Sequence, residues 1–415
     1  MAVVHPPSTS NPTLHVPEPQ CRPGDSPRFD GLTFPPPGDI ERPELDVDPQ
    51  DILGHAYGLI RVLDDEGHAR GPWNPDLDGD ELVEGLRHLL LTRELDRRML
   101  RAQRQGKTSF YMQSTGEEAI ACGFQASLDE GDMNFPTYRQ QGLLVAAGYP
   151  LHLMMCQVFS NECDPLRGRQ MPVFYSARSH GFFSISGNLA TQYVQAVGWA
   201  MAAAIRGEHS VAAGWIGDGA TAESDFHSAM VLASTYNPPA VLNIVNNQWA
   251  ISTFQAVARG RAPTFAARGH GFGIPSIRVD GNDYLAVRGA ASWATARARA
   301  GHGPTVIEWV TYRVGAHSSS DDPSGYRPKD EAAAWPLGDP VDRLRTHCRL
   351  VGALDDEEFA HLTEEVEAKV ASALTQAEEH GTLHDGPRPS PKDIFEGVYA
   401  AMPDHLRRQR QTAGF

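Results

Sequence analysis

Cysteine is scarce in this chain: five occur in 415 residues, and none stands at the spacing of a paired metal-binding motif. Because the number is odd and the positions are scattered, we interpret Cys21, Cys122, Cys156, Cys163 and Cys348 as reduced thiols, not as a disulfide framework. Reduced thiols indicate a reducing compartment, so we expect a cytoplasmic protein.

The chain also has fewer basic than acidic residues, and it has no long apolar runs. The 36 Lys and Arg residues against 52 Asp and Glu residues give a formal net charge of −16, which would repel nucleic-acid phosphates. No apolar run approaches the length of a membrane span, and the first residues resemble neither a secretion signal nor a transit peptide. We therefore expect no nucleic-acid partner and no membrane segment. The hydrophobic content of 41% is enough for a large core.

Two short apolar runs around a helical pattern form the clearest structural unit. Val211–Ile216 and Ala240–Val245 are apolar, and Thr221–Tyr236 lies between them. Strand, helix and strand in this order predict a βαβ unit. The strands of such a unit are parallel, so their carboxyl ends meet at one edge of the sheet, where ligands bind.

Polar residues follow both predicted strands. Asp218 lies within Gly217-Asp218-Gly219, and Asn247 ends Asn246-Asn247. Carboxylate and amide oxygens suit magnesium better than zinc or copper, and magnesium often completes its octahedron with phosphate oxygens. The helix beginning at Thr221 would add free backbone N–H groups. Each motif alone is more often a turn or a strand end, but together they predict a diphosphate held through magnesium.

These motifs, separated by 29 positions (247 − 218), resemble the fingerprint of thiamine-diphosphate enzymes. The flanking sequence is similar to the alpha subunit of the E1 component of 2-oxo acid dehydrogenases, and specifically to the branched-chain type. Three segments carry this likeness: Gly106–Met112, Gly168–Pro172 and Gly187–Gln192. The resemblance extends from about Gly106 to the C-terminus and is looser upstream.

The resemblance implies an activity, cofactors and partners. The expected reaction is thiamine-diphosphate-dependent decarboxylation of a branched-chain 2-oxo acid, followed by transfer of the acyl group to a lipoyl group on an E2 acyltransferase. The implied cofactors are thiamine diphosphate and Mg²⁺, with K⁺ as a further candidate. A separate beta subunit would supply the carboxylate that activates the cofactor, in an α2β2 assembly.

The resemblance also assigns roles to residues of this chain. The magnesium ligands would be Asp218, Asn247 and the backbone carbonyl of Trp249. The cofactor-binding residues would be Tyr138, Arg139, Leu189, Gly217, Asp218, Gly219, Ala220, Asn247 and His317. The substrate side chain would contact Phe110, Tyr138 and Leu189. The candidate potassium residues are Ser186, Thr191 and Gln192.

His317 is in addition the candidate catalytic residue, at the step of lipoyl acylation. Histidine can exchange a proton near neutral pH, and acyl transfer to a lipoyl disulfide needs a proton donor. Its loop, Arg313–Arg327, lacks an evident apolar anchor, so we expect it to be mobile until the cofactor binds. Ser318 matches a phosphorylation site of eukaryotic relatives.

Two departures from the family pattern affect the diphosphate and potassium sites. Val245 stands where some relatives have an Arg that contacts phosphate, and Gly187-Asn188 replaces a Ser-Pro pair. Diphosphate binding would therefore depend more on Arg139 and the metal, and the potassium site is doubtful.

The order of predicted elements indicates an α/β fold: a doubly wound, mostly parallel sheet with an extended N-terminal arm and a helical C-terminal part. We divide the chain into residues 1–77, 78–340 and 341–415. Further strands are expected at Ser276–Val279 and Pro304–Tyr312. Helices are expected at Asp51–Glu66 and Asp78–Gln105, and a further helix, capped by Asp283, to about Ala300. The first fifty residues contain twelve prolines, and Met1–Phe34 is either disordered or an arm over a partner subunit.

Three other functions remain open. A pyruvate-type E1 alpha subunit would share most of the motifs. A nucleotide-binding oxidoreductase has weak support from Gly269–Gly273, which does not follow a convincing strand. A non-catalytic scaffold subunit is suggested by the proline-rich arm.

Overall fold

A five-stranded sheet forms the centre of the computed structural model, which describes residues 14–30 and 32–415. All its strand pairs are parallel, in the order β1-β2-β3-β7-β6. Its strands are β1 (Met133–Phe135), β2 (Ala212–Gly217), β3 (Ala240–Asn246), β6 (Ser276–Asp280) and β7 (Thr305–Val310). Two short strands, β4 (Trp249–Ala250) and β5 (Thr253–Phe254), form a separate antiparallel pair.

Eleven α-helices occur in the part of the chain that the structure describes. They are α1 (Gly79–Arg104), α2 (Glu118–Gln125), α3 (Gln141–Ala146), α4 (Leu151–Phe159), α5 (Thr191–Arg206), α6 (Ser224–Tyr236), α7 (Gln255–Arg259), α8 (Tyr284–Arg299), α9 (Pro340–Leu350), α10 (Asp356–Glu379) and α11 (Asp404–Thr412). None of them is both long enough and apolar enough to span a bilayer.

Helices cover both faces of the sheet. In β2, Trp215 faces a core shared with α1, α2 and α8, whereas its neighbour Ile216 faces a second core shared with α5 and α6. Successive side chains of a strand point to opposite faces, so a strand buried on both sides must be apolar throughout. The predicted doubly wound, parallel α/β architecture is confirmed.

The chain reverses direction across the sheet between β3 and β7. It runs through β1, β2 and β3 towards one edge, then enters β6 at that edge and returns to β7 beside β3. The neighbours β3 and β7 thus come from different halves of the fold. A crevice at their carboxyl ends is the usual ligand site of such sheets.

Capping carboxylates begin two of the predicted helices. Asp78 and Glu81 form a capping box at the start of α1, and the Asp283 carboxylate accepts a hydrogen bond from the Ala286 N–H at the start of α8. Both helices are confirmed to within one or two residues. The helix expected from Thr221 starts later, at Ser224, after a short 3₁₀ turn over Gly219–Ala222.

The helix predicted over Asp51–Glu66 is wrong. Only Leu53–Ala56 forms a 3₁₀ turn, and Ile60 then pairs with Val279 of β6. The buried Asp283 carboxylate also accepts from the N–H groups of the next residues, Val62 at 2.8 Å and Leu63 at 2.6 Å. Tertiary partners therefore take the hydrogen bonds that a helix would have made.

The end of the proline-rich arm packs on the chain's own domain, whereas Leu14 and Val16 near its start are exposed. Phe29, Leu32 and Phe34 join a cluster with Tyr312 and Trp335, and the rings of Phe29 and Trp335 lie 5.3 Å apart. Disorder is therefore the wrong interpretation from Phe29 onward, and residues 1–13 lie outside the described part.

The C-terminal part joins the central core. Leu362, Val366 and Val370 of α10 belong to the same hydrophobic cluster as Leu86 and Leu89 of α1. The predicted division at residue 341 stays a prediction, although α10 shares its core with the segment before that boundary.

Candidate functional site

A cavity of about 660 Å³ opens where β2, β3 and β7 end. Every residue predicted to hold the cofactor or magnesium lines it: Tyr138, Arg139, Leu189, Gly217, Asp218, Gly219, Ala220, Asn247, Trp249 and His317. The fold thus brings together residues up to 179 positions apart (317 − 138). Their individual roles stay predictions.

Asp218 carries a buried carboxylate with one unused oxygen. The side chain is 2% exposed, and Oδ1 accepts from the Gly219 N–H at 2.7 Å. Oδ2 has no hydrogen-bond partner among the described residues. Burial raises the pKa of Asp218 to about 7. A buried carboxylate with a free oxygen is costly unless a cation or another donor satisfies it, so this atom fits a metal ligand.

Asn247 lines the same cavity as Asp218, and its amide nitrogen is already engaged. Nδ2 donates to Oε1 of Glu117 at 2.6 Å, and the amide oxygen accepts from the Trp249 N–H at 3.3 Å. An amide oxygen has two lone pairs, so one of them stays available to a cation. The predicted third ligand, the Trp249 carbonyl, accepts from Nη1 of Arg313 at 2.8 Å. A carbonyl oxygen has two lone pairs, so this bond is compatible with coordination.

Glu117 is a site residue that the sequence-based prediction missed. It is buried, lines the cavity and accepts from Asn247, and its Oε1 lies 3.7 Å from Nε of Arg139. Burial raises the pKa of Glu117 to about 7, against the opposing effect of Arg139. Glu117 directly precedes α2, and acidic residues are common at the start of a helix, so its position in the sequence did not indicate a functional role. Only the tertiary fold places it next to Asn247.

Arg139 and Tyr138 form one wall of the cavity. Arg139 is 4% exposed, and it donates through Nη2 to the His317 carbonyl at 2.9 Å and through Nη1 to the Gln113 carbonyl. The Tyr138 ring stacks on Phe174 at 6.2 Å and meets His317 edge-on at 5.7 Å. A buried guanidinium held in this way is suited to an anionic group such as a diphosphate.

His317 is held in its neutral form. Burial, together with the neighbouring Arg139 and Arg313, lowers the pKa of His317 to about 3. Burial in this chain thus opposes proton exchange near neutral pH, and the proposed proton-donor role of His317 stays a prediction. A neutral imidazole still donates one hydrogen bond and accepts another.

The loop that carries His317 has anchoring contacts that the sequence did not indicate, and its mobility before cofactor binding stays a prediction. Arg313 is buried and donates to the carbonyls of Trp249 and Ile251 and to the Tyr326 hydroxyl at 2.6 Å. Tyr326 in turn donates to Asp321 at 2.7 Å and packs against the Trp249 ring at 5.2 Å. The apolar anchor is an aromatic contact across the fold, which a local composition of Gly, Ser and Asp did not indicate.

Two predicted residues do not line the cavity. Phe110 is partly buried against the main core, and Thr191 donates to the Asn188 carbonyl of its own turn at 3.1 Å. The other candidate potassium residues, Ser186 and Gln192, do line the cavity. Its apolar wall is built largely by residues that were not predicted: Met112, Met171, Phe174, Ile251 and Val257. Met171 lies within Gly168–Pro172, a segment that carried the family resemblance, and this resemblance was the signal from which Met171 could have been predicted.

The glycines of Gly269–Gly273 do not form a nucleotide-binding loop. Gly269 and Gly271 lie in a 3₁₀ segment, Ala266–Phe272, and Gly273 caps its end. This segment precedes β6 instead of linking a strand to a helix. A Cβ on Gly269 would lie 1.9 Å from Oγ of Ser276, so close packing explains this glycine. The oxidoreductase alternative loses its support.

Two known protein families match segments of this chain. The family described as "Dehydrogenase E1 component" matches residues 87–385, and "2-oxoisovalerate dehydrogenase E1 alpha subunit N terminal" matches residues 10–50. The 2-oxoisovalerate dehydrogenase subunit alpha of Pseudomonas aeruginosa is 58% identical over 401 residues, covering 97% of this chain and 98% of that protein.

Mitochondrial relatives are more distant but match over a similar length. The 2-oxoisovalerate dehydrogenase subunit alpha of Bos taurus is 40% identical over 390 residues, covering 94% of this chain and 83% of the bovine protein. That of Homo sapiens is 39% identical, covering 94% and 85%. The resemblance inferred from the motifs is confirmed: this chain belongs to the dehydrogenase E1 component family, among the alpha subunits of 2-oxoisovalerate dehydrogenases.

Proposed function

We propose that the chain acts as the alpha subunit of a branched-chain 2-oxo acid dehydrogenase E1 component. In this role it takes part in thiamine-diphosphate-dependent oxidative decarboxylation of branched-chain 2-oxo acids and in acylation of lipoyl groups on an E2 acyltransferase. The observation that carries the proposal is the convergence of Asp218, Asn247, Arg139 and His317 on one cavity at the switch point of the sheet.

The donor set fits a magnesium-bound diphosphate. Asp218 offers an unpaired carboxylate oxygen, and Asn247 offers its amide oxygen. Gly219 also leaves no room for a side chain, because a Cβ there would lie 2.4 Å from the Ala250 Cβ. Asp218, Asn247 and the Trp249 carbonyl would hold the ion, and Arg139 would contact the diphosphate.

When bound, thiamine diphosphate supplies the carbon nucleophile that attacks the keto carbon of the substrate. The chain's own residues would bind the cofactor and orient it. Arg139 is held by the carbonyls of Gln113 and His317, so its charge stays directed at the diphosphate end. Tyr138 and Phe174 form an apolar wall beside it and exclude water from that side.

His317 would act as a neutral hydrogen-bonding group near the reacting atoms. We expect His317→Ala to impair lipoyl acylation more than decarboxylation measured with an artificial electron acceptor. Because burial lowers the pKa of His317 and favours the neutral imidazole, His317→Asn should retain part of the lipoyl activity that His317→Ala loses. Steady-state rates in the two assays, with cofactor affinity measured in parallel, provide the test.

An exposed histidine serves as the control for this pair. His384→Ala should leave both rates unchanged, because His384 does not line the cavity. Equal loss in both assays at unchanged cofactor affinity would place His317 at an earlier step and contradict the assignment.

The cavity wall favours a branched aliphatic substrate. Met112, Met171, Phe174 and Leu189 offer apolar surface, and each buried methylene contributes about 0.8 kcal/mol. The two extra carbons of 2-oxoisovalerate should therefore raise its kcat/KM over that of pyruvate by about tenfold or more. A substrate panel on the chain co-purified with its beta subunit measures this ratio, and it also tests the proposed function.

Two substitutions test whether substrate preference depends on the cavity wall or on the neighbouring hydrophobic core. Leu189→Ala should lower the preference for 2-oxoisovalerate, whereas Phe110→Leu should not, because Phe110 does not line the cavity. A higher kcat/KM for pyruvate than for 2-oxoisovalerate would support the pyruvate-type alternative instead. Failure to bind thiamine diphosphate alongside the true beta subunit would support the scaffold alternative.

The assembly and the remaining ligands belong to the same proposal. Leu189 and Ile251 border the cavity yet are 48% and 53% exposed in this chain, which supports a beta subunit that covers the opening. We infer an α2β2 assembly in the cytoplasm, with a K⁺ ion near Ser186 and Gln192 as an optional ligand.

A further inference from the structure

A second group of metal-ligating side chains lies outside the cavity. Glu162 and Cys163 follow α4, and His380 ends α10. One potential ligand atom from each of the three lies within 4.8 Å of the others, and Nδ1 of His380 is 3.4 Å from Oε1 of Glu162. Cys163 and His380 are partly buried, while Glu162 is exposed, so the group is open to solvent on one side.

We propose that Glu162, Cys163 and His380 form a binding site for a zinc-class divalent cation. Thiolate, imidazole and carboxylate together are the ligand types that zinc takes, in contrast to the oxygen ligands of the magnesium site. Tetrahedral zinc with bonds of about 2.0–2.3 Å places neighbouring ligand atoms about 3.3–3.8 Å apart. The His380–Glu162 distance already matches this spacing, and Cys163 needs only a small side-chain movement. Water would fill the fourth position.

The backbone beneath the group is rigidly held by one buried side chain. Asn161 is fully buried, and its Nδ2 donates to the carbonyls of Ala377 at 2.9 Å and Gly381 at 3.0 Å. Its Oδ1 accepts from the Cys163 N–H at 3.1 Å. Asn161 therefore joins the loop after α4 to the end of α10, and it places both segments before any cation binds. Such preorganisation lowers the entropic cost of binding.

The same loop continues towards the catalytic cavity. Asp164 accepts from the N–H groups of Leu166 at 2.8 Å and Gly168 at 2.6 Å, and the chain then reaches Met171 in the cavity wall. A cation at the Glu162–Cys163–His380 site would therefore fasten α10 to the loop that leads into this wall. We assign it a stabilising role and no part in the reaction.

Cobalt absorption tests the site directly. The full chain, co-purified with its beta subunit, is reduced and freed of metal, and Co²⁺ is added without thiamine diphosphate. We expect a thiolate-to-cobalt charge-transfer band with tetrahedral visible bands, displaced by Zn²⁺. Cys163→Ser should abolish the charge-transfer band. Glu162→Gln and His380→Gln should each weaken Zn²⁺ binding by more than about tenfold.

Matched variants serve as controls for non-specific binding of Co²⁺ elsewhere on the chain. Glu379→Gln and His384→Gln alter exposed residues of the same segment and should bind Co²⁺ like the unaltered chain. Asp218→Asn should also keep the charge-transfer band, so a failure at the magnesium site is distinguishable from a failure here. Zn²⁺ should raise the Tm of the unaltered chain and leave that of Cys163→Ser unchanged.

Either of two results would overturn the proposal. One is the absence of a thiolate band in the unaltered chain, and the other is a band of full intensity in Cys163→Ser. If Cys163→Ser does not fold, the loss or retention of Zn²⁺ affinity in His380→Gln decides the question.

Discussion

Asp218→Asn is expected to weaken binding of thiamine diphosphate with Mg²⁺ by more than about a hundredfold. The substitution removes the charged ligand from a buried position, and losing one partner of a buried ionic contact costs about 3 kcal/mol or more. Asparagine has nearly the same size, and it removes a carboxylate whose free oxygen has no partner among the described residues. The fold should therefore survive. Calorimetry on the folded variant measures the loss of affinity.

Glu223→Gln is the matched control for this variant. Glu223 is an exposed carboxylate just beyond the 3₁₀ turn, and it does not line the cavity. Its loss should leave cofactor affinity unchanged. Unaltered affinity in a folded Asp218→Asn variant would show that Asp218 is not a magnesium ligand.

The chain purified without a beta subunit is expected to turn over 2-oxo acids at least about a hundredfold more slowly than the complex. Loss of a positioned acid–base group costs about this much or more. The two buried carboxylates of the cavity, Asp218 and Glu117, both lie on the side of Asn247 and Arg139, which are assigned to the diphosphate end. The carboxylate expected at the other end of the cofactor would come from the beta subunit.

Reconstitution provides the measurement. Adding the beta subunit should restore turnover to the unaltered chain and should fail to restore it to Asp218→Asn at the same cofactor concentration. Full decarboxylase turnover by the purified chain alone would contradict the prediction.

Several structural predictions came from local patterns and were confirmed. The apolar runs at Val211–Ile216 and Ala240–Val245 correspond to β2 and β3, because strands buried on both faces have no polar side to interrupt the pattern. Asp78 and Asp283 marked helix starts because a capping carboxylate acts within its own turn. Each of these signals is short in sequence and needs no distant partner.

Other features were predicted wrongly, or not predicted at all, where a distant partner decided the outcome. The segment Asp51–Glu66 has helical apolar spacing, yet β6 and the Asp283 carboxylate take its hydrogen bonds. The strand Met133–Phe135 is three residues long, too short to show a period, and exists because it pairs with β2. The family resemblance assigned Phe110 to the substrate pocket, but in this chain Phe110 packs against the main core and does not line the cavity.

The sequence by itself determined the α/β class, the βαβ unit and the edge at which Asp218 and Asn247 meet, because strand polarity follows directly from chain order. Tertiary structure alone decided which further groups face those two residues. Glu117 reaches Asn247 across 130 positions (247 − 117), and Arg313 fastens the His317 loop to the Trp249 carbonyl. Burial among these charges, which no local pattern encodes, raises the pKa of Asp218 to about 7 and lowers that of His317 to about 3.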